Sequence, residues 1–291
     1  TERGTLASSI SMSGGALDAD NSLTVSGALS HTDDITIDVI DTKTLTYSGT
    51  AISVGANTLT LTGGGSLVSG GLSLNDASSK LLLNSITVDS VSTAVDNSLG
   101  LDVDADSTIS SLSIAHITPV SIANTKTLSG AITVTAGSIK LAETGTLAST
   151  VEMSGGVLDA DESLTVSGAL TQSGDTTIDV LVDKTLTYSG ATLSLGPNTL
   201  NMSGGGTLSN TNVLELNHAD SLLTLGGTVT IGKASVTASS NTGKGLAINI
   251  SSTISSLTVS ADTELNIADG FTFSGATEIS AGTTLTLSST G

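Results

Sequence analysis

An all-β fold, a right-handed parallel β-helix (β-solenoid) with about 20 residues per coil and about 14 coils, is predicted from three features of the sequence. Apolar and polar residues alternate in short runs, and clusters of Gly, Asn, Asp and Ser interrupt these runs. A long segment occurs twice. Strand-like runs recur every six to ten residues, too quickly for long hairpins, and few Asn-Gly or Asp-Gly hairpin turns separate them. The chain is therefore expected to turn the same way at each bend and to stack coil upon coil.

The repeat defines the predicted organisation of the chain. Gly4–Leu67 returns as Gly145–Leu208 with a constant offset of 141 residues, and 42 of the 64 aligned positions are identical. We therefore expect one continuous solenoid over residues 1–291, made of two tandem units, 4–144 and 145–291, without separate domains. Leu285–Gly291 also resembles Ile139–Gly145, so the sequence is expected to reach the phase at which a third copy would begin.

Alternating runs predict the strands in chain order. In each run, residues i and i+2 point to the same face, so the apolar members are expected to face a core. The clearest runs of the first unit contain Leu23/Val25, Ile35/Ile37, Leu45/Tyr47, Leu59/Leu61, Leu72/Leu74 and Leu81/Leu83. Helical spacing of apolar residues is not sustained anywhere, and three such strands per coil are expected.

Composition limits the classes of partner. Hydrophobic residues make up 37% of the chain, enough to build a core and to argue against disorder. The net charge of −19, with Arg3 as the single Arg, would repel nucleic acids and anionic membranes, so neither is expected as a partner. No apolar run reaches the roughly 18 residues of a membrane helix, so membrane insertion is not expected. With no Cys, stability is expected without disulfides.

Two segments resemble the β-strand repeats of autotransporter passengers and other large bacterial surface β-helices. They are Asn57–Gly71, which reads NTLTLTGGGSLVSGG, and Asn198–Gly206, which reads NTLNMSGGG. The resemblance extends over most of the chain, but its motif is shared by many secreted β-solenoids. It implies a secreted, surface-bound or fibrous bacterial β-helix, and therefore an extracellular or cell-surface location.

Repeated acidic bends are the candidate metal ligands. Carboxylates two residues apart on a strand point the same way and could share Ca²⁺, which prefers several hard oxygen ligands. The candidates are Asp18, Asp20, Asp159, Asp161, Asp102, Asp104 and Asp106. The alternative is that these Asp residues supply turn chemistry and charge at solvated bends, and the glycine-rich motif of Ca²⁺-binding solenoids is absent. No other cofactor is expected.

Threonine pairs suggest a second possible surface. TxT sequences occur at Thr44/Thr46, Thr58/Thr60/Thr62, Thr185/Thr187 and Thr284/Thr286. Outward TxT on a flat solenoid face is also found in ice-binding solenoids. The spacing between these pairs is irregular along the chain, so ordinary β-propensity on a polar face is the simpler interpretation.

The predicted function is structural and non-enzymatic: a segment of an extracellular filament, sheath or adhesin stalk that stacks end to end through its coils. Its partners would be copies of itself, in a head-to-tail homopolymer, or neighbouring repeats of a longer chain. One alternative is an adhesin or binding module whose lateral face binds glycan, Ca²⁺ or ice. A second is a polysaccharide-acting β-helix enzyme, which the near absence of Arg and of aromatic residues, at 1%, disfavours.

Overall fold

The structure is a computed structural model that describes residues 4–290, with side chains for residues 4–289. All regular secondary structure in this range is β-strand, and no helix is present among these residues. The strands are parallel, successive turns lie about 21 residues apart, and there are about 14 turns, so the predicted β-solenoid class is confirmed. Contacts divide the chain into two units, Thr1–Ser149 and Thr150–Gly291, which are described separately. A single continuous solenoid and its handedness stay predictions.

Unit 1 contains four turns of three strands followed by three turns of two strands. The three-strand turns are β1 (Gly4–Leu6), β2 (Ile10–Met12), β3 (Ala16–Ala19); β4 (Leu23–Val25), β5 (Leu29–His31), β6 (Ile35–Val39); β7 (Thr44–Tyr47), β8 (Ile52–Ser53), β9 (Thr58–Thr62); and β10 (Ser66–Val68), β11 (Leu72–Leu74), β12 (Lys80–Asn84). The two-strand turns are β13 (Thr87–Thr93), β14 (Gly100–Val103); β15 (Ser107–Ile114), β16 (Thr118–Ile122); and β17 (Thr127–Val134), β18 (Ser138–Leu141). The short strand β19 (Thr146–Leu147) pairs with β17.

Unit 2 follows the same plan. Its three-strand region comprises β20 (Thr150–Met153), β21 (Val157–Ala160), β22 (Leu164–Val166), β23 (Leu170–Gln172), β24 (Thr176–Val180), β25 (Thr185–Tyr188), β26 (Leu193–Ser194), β27 (Thr199–Gly204), β28 (Thr207–Asn210), β29 (Leu214–Leu216) and β30 (Leu222–Leu225). Its two-strand turns are β31 (Thr230–Val236), β32 (Gly245–Ile248); β33 (Ser252–Val259), β34 (Thr263–Ala268); and β35 (Phe273–Ile279), β36 (Leu285–Thr290).

The expectation of three strands per coil therefore holds for only part of each unit. In the two-strand turns, the first two strands fuse into one strand of seven or eight residues. The corner is replaced by a bulge: the register between β15 and β17 shifts between Ile109 and Leu112, and that between β33 and β35 shifts between Thr253 and Ser256. A bulge bends a strand while the ladder continues on both sides.

The core of each unit consists of columns of aliphatic side chains, one per turn. One column of unit 1 runs through Ile35, Leu59, Leu81, Leu101, Val120 and Leu141, and none of these side chains is more than 3% exposed. The corresponding column of unit 2 includes Leu200, Leu223, Leu246 and Leu265. The inward direction predicted from the alternating runs is confirmed, although Leu23 is only half buried.

Two buried tyrosines close the same corner in the two units. The Tyr188 hydroxyl accepts a hydrogen bond from the Leu170 N–H at 3.1 Å and donates one to the Ala191 carbonyl at 2.6 Å. The Tyr47 hydroxyl accepts one from the Leu29 N–H at 3.2 Å. Each tyrosine thus fills the core and pairs backbone groups at a corner where the ladder is interrupted.

The glycines at the bulges should be essential to the fused strands. Gly130 and Gly275 have φ of 120° and 121°, and a Cβ there would overlap the carbonyl oxygens of Ile109 and Ile254. We expect Gly130→Ala and Gly275→Ala each to lower the free energy of unfolding by about 2–3 kcal/mol or more. Gly243→Ala is the control, because Gly243 also has a positive φ (74°) but no atom near its missing Cβ. Guanidinium unfolding followed by circular dichroism gives the comparison, and equal losses at all three positions would contradict it.

Tyr188→Phe should lower stability by about 2 kcal/mol at neutral pH, because two backbone groups lose their partner, and Tyr47→Phe should cost less.

Burial raises the pKa of Tyr188 above its ordinary value of 10.0, partly offset by the Leu170 N–H. Since the pKa of Tyr188 is higher in the folded than in the unfolded protein, the neutral hydroxyl contributes its full stabilisation of the fold below pH 10. This stabilisation is lost as the pH rises through the folded pKa. Urea unfolding between pH 7 and 11 should show an alkaline loss in the wild type that Tyr188→Phe lacks. Parallel pH profiles would refute this.

Candidate functional site

The predicted acidic pairs are arranged differently from the sequence expectation. Asp18 lies exposed on β3, directly opposite Asp38 on β6, whereas Asp20 lies exposed in the bend after β3. The carboxylates that face each other therefore belong to successive turns and not to one strand. Sequence spacing could not show this, because Asp38 is one full turn away from Asp18.

Unit 2 repeats this arrangement. Asp159 on β21 lies opposite Asp179 on β24, and Asp161 follows the end of β21. The Ser203 hydroxyl donates a hydrogen bond to Asp179 Oδ2 at 2.6 Å. The two units thus share an aspartate pair across the first two strands of the same face.

The third acidic set is separated by its hydrogen-bond partners. Asp102 on β14 forms an ion pair with Lys80, with 2.5 Å between Nζ and Oδ2. This bond raises the pKa of Lys80 despite partial burial. Asp106 Oδ1 accepts a hydrogen bond from the Thr127 N–H at 2.8 Å, while Asp104 is exposed in the bend between them. Within residues 4–289, no three or more His, Asp or Glu side chains form a group that could hold a metal ion.

Asp106 belongs to a set of corner aspartates, the other members of which are not among the candidate metal ligands. Each aspartate oxygen accepts the backbone N–H of a residue one turn later, where the next strand begins or is about to begin. The pairs are Asp34–Thr58 at 2.7 Å, Asp96–Ile117 at 2.9 Å, Asp106–Thr127 at 2.8 Å, Asp175–Thr199 at 2.6 Å and Asp262–Thr284 at 2.7 Å. In four of the five pairs, an Asp directly before a strand is followed one turn later by Thr, and this is the signal that could have revealed them; Asp96 and Ile117 lack it.

Hydroxyl side chains form straight outward columns, although their spacing is irregular in sequence. The column of unit 1 contains Thr44, Ser66, Thr87, Thr108 and Ser129. That of unit 2 contains Thr185, Thr207, Thr230, Thr253 and Ser274. The bends absorb the differences in spacing, so the irregularity expected from the sequence does not extend to the structure. The second Thr of the TxT pair does not continue into such a column, since Thr46 lies opposite Val68 on the next turn.

A second outward column distinguishes the two units. In unit 1 it contains Ser53, Ser73, Ser92, Ser113 and Thr133. In unit 2 it contains Ser194, Glu215, Ser235, Thr258 and Glu278. Glu215 accepts hydrogen bonds from the hydroxyls of Ser194 at 3.2 Å and Thr237 at 3.1 Å. This column is therefore made of small neutral side chains in unit 1 and contains two carboxylates in unit 2.

A shallow polar groove lies near the end of unit 2, lined in part by Asn241, Asp262 and Glu264. Glu264 accepts a hydrogen bond from the Ser288 hydroxyl at 2.6 Å and another from the Gly243 N–H at 3.1 Å. These two bonds, that from Ser288 above all, lower the pKa of Glu264. The acidic groups of the groove thus already serve the ladder between turns.

No protein-family model, curated protein or solved structure matches the chain. Among the residues that the structure describes, there is no helix long and apolar enough to span a membrane. The stacked turns and the lateral columns are therefore the features that bear on function.

The Asp18–Asp38 pair gives a direct test of the Ca²⁺ hypothesis. Like charges opposite each other on neighbouring strands are unfavourable, so Asp38→Asn should raise stability by about 0.2–1 kcal/mol in a chelator. If the pair takes Ca²⁺, about 1 mM Ca²⁺ should stabilise the wild type and reverse this order. Asp89→Asn, at an exposed position on β13, is the control, because Asp89 is not a candidate ligand. Thermal unfolding with and without Ca²⁺ measures both effects, and an unchanged order would reject Ca²⁺ binding at this pair.

Proposed function

We propose that the chain is a structural segment of an extracellular filament, sheath or adhesin stalk on a bacterial surface, and that it stacks end to end through its coils. The observation that carries this proposal is the near-equivalence of successive turns. Each unit repeats the same inward columns and the same parallel ladder, and both units change from three-strand to two-strand turns at the same point.

The mechanical basis lies in the direction of the hydrogen bonds. In a solenoid, the backbone hydrogen bonds between strands run along the stacking direction and join each turn to the next. Separating two turns breaks these bonds and exposes an aliphatic layer, at roughly 25 cal/mol for each Å² of apolar area. The corner aspartates and tyrosines add bonds between turns where the strands are interrupted. Such a body resists extension without a specialised site.

The chemistry of the surface supports an extracellular location. A charge of −19 and many Ser and Thr residues favour solubility. The resemblance of Asn57–Gly71 to bacterial surface β-helices points the same way. Copies of the chain or neighbouring repeats are the partners that this function requires.

A second candidate function is favoured by the hydroxyl columns. Five consecutive turns present Thr or Ser at one position in each unit, a regular array that could hold ordered water, ice or a glycan. Thr87→Lys and Thr108→Lys would disrupt the array in unit 1, and Thr32→Lys, at an exposed bend, is a control outside it. Thermal hysteresis or glycan binding that is lost only in the column variants would favour this second function over the first.

The structural function predicts mechanical resistance without a ligand. Pulling the full chain from both ends in single-molecule force spectroscopy should give repeated unfolding events, with about 3.3–3.6 Å gained per released residue. Gly130→Ala should weaken events from unit 1 and leave those from unit 2 unchanged. Glycan arrays and Ca²⁺ titration should show no saturable binding. Extension without resolvable force events, or saturable binding to one ligand, would contradict the structural function.

A further inference from the structure

The imidazole ring of His31 lies between two backbone carbonyl groups. His31 is half-buried on β5, with Nδ1 3.0 Å from the carbonyl oxygen of Asp33 and Nε2 2.9 Å from that of Ser53. A carbonyl oxygen can only accept, so each contact is a hydrogen bond only when the ring nitrogen carries a proton. A neutral imidazole has one N–H and an imidazolium has two. Only the protonated ring can therefore satisfy both carbonyl groups.

The bond to Ser53 crosses a gap in the backbone ladder. Within residues 4–290, β2 and β5 form a sheet of two strands, whereas β8 belongs to the largest sheet. His31 thus joins the second turn to the third at a place where the backbone ladder does not. A further bond across the same corner is that from the Leu29 N–H to the Tyr47 hydroxyl, at 3.2 Å. With so few bonds at this corner, each one has a large share in holding the two turns together.

The charges beside the ring are negative. Asp33 and Asp34, both exposed, follow His31 in its own bend. The neighbouring strands β2 and β8, and the bends after them at residues 13–15 and 54–57, contain no titratable residue. Tyr47 of β7 also reaches β5, but it brings a neutral hydroxyl group. Among these residues, a protonated ring meets two opposite charges and no like charge.

Unit 2 has a side chain that does not titrate at the corresponding position. Gln172 aligns with His31, and its Nε2 donates a hydrogen bond to the carbonyl oxygen of Thr199, on the following turn, at 2.8 Å. Both units thus use this position to reach a backbone carbonyl one turn later. The carboxamide donates at any pH, whereas the imidazole of unit 1 donates to both of its partners only when it is protonated.

We propose that His31 is a pH-sensitive clasp between the second and third turns of unit 1, which closes when its ring takes up a proton. Imidazole is the side chain that ordinarily changes its charge between pH 5 and 8. After loss of the proton, one ring nitrogen presents a lone pair to a carbonyl oxygen, and that contact becomes unfavourable. The stabilisation by the second bond is therefore present at the acidic end of this range and is lost as the pH rises through it. The corresponding corner of unit 2 stays unchanged.

Nitrogen-15 NMR of the histidine rings in the full chain tests the protonation of the clasp directly, at about pH 5.5 and about pH 8. At the lower pH, both ring nitrogens of His31 should carry a proton, and these protons should exchange with water more slowly than those of His116 and His218. His116 is the comparison without a clasp, because its Nδ1 lies 3.6 Å from Asp96 Oδ1, beyond hydrogen-bond distance. A neutral His31 ring at the lower pH, or ring protons that exchange as fast as those of His116 and His218, would overturn the proposal.

Amide hydrogen exchange of the same protein tests whether the clasp holds the turns together. The reporters are the N–H groups of Leu29 and Thr58, which bond across the second and third turns to Tyr47 and Asp34. After correction for intrinsic exchange rates, their protection in the wild type should be about tenfold greater at the lower pH than at the higher one.

His31→Gln is the matched variant, because it introduces the residue that unit 2 has at this position. It should remove the pH dependence of the two reporters. The internal controls are the N–H groups of Leu170 and Thr199, which bond to Tyr188 and Asp175 in unit 2 and should not respond to pH in either protein. An equal pH dependence in the wild type and in His31→Gln would overturn the clasp. Equal changes at the reporters of both units would also overturn it, since they would indicate a general effect of titration.

Discussion

The parallel ladder between successive turns is the interaction on which the rest of each unit depends. A single turn can neither pair its backbone nor cover its aliphatic side chains, so its stability comes from the turns on either side. This requirement fixes the phase of every strand: the inward residue of one turn must lie on the inward residue of the next. The column from Ile35 to Leu141 keeps this phase although the spacing between its members varies. Variation in chain length is confined to the bends, where it does not disturb the core.

Corners are where the ladder would otherwise fail, and polar side chains maintain it there. Corner aspartates accept backbone N–H groups of the following turn, as Asp34 does for Thr58. The buried tyrosines pair corner backbone in both units. Buried hydroxyls contribute as well, since Ser79 and Ser221 each donate to a glycine carbonyl one turn away at 2.5 Å. Much of the acidic character of the chain thus has a structural role, because a carboxylate is a strong acceptor for N–H groups that would otherwise remain unpaired.

The two units share their cores and differ on their surfaces. The inward columns and the change from three-strand to two-strand turns are common to both, whereas Ser73 of unit 1 corresponds to Glu215 of unit 2 on the lateral face. In unit 2, Lys184 forms an ion pair with Glu162 at 2.6 Å. The residues that correspond to them in unit 1 are Lys43 and Asn21, which cannot form an ion pair. Core residues contact both neighbouring turns and are constrained by both; outward residues contact mainly solvent and can change. The proposed structural function would depend on the stacking surfaces and would leave the lateral faces free to vary.

The fold class and the inward residues of the alternating runs follow from the sequence alone, because alternation with period two and the repeat of 141 residues are local and periodic properties. It also identified Asp18, Asp20 and the other acidic bends as notable. Which carboxylates lie together depends on how the turns stack. Asp18 faces Asp38 and Asp102 binds Lys80, since contacts between turns join residues roughly 20 positions apart, and their register depends on bend lengths that no short motif encodes. The straight hydroxyl columns and the bulges that fuse two strands into one have the same origin.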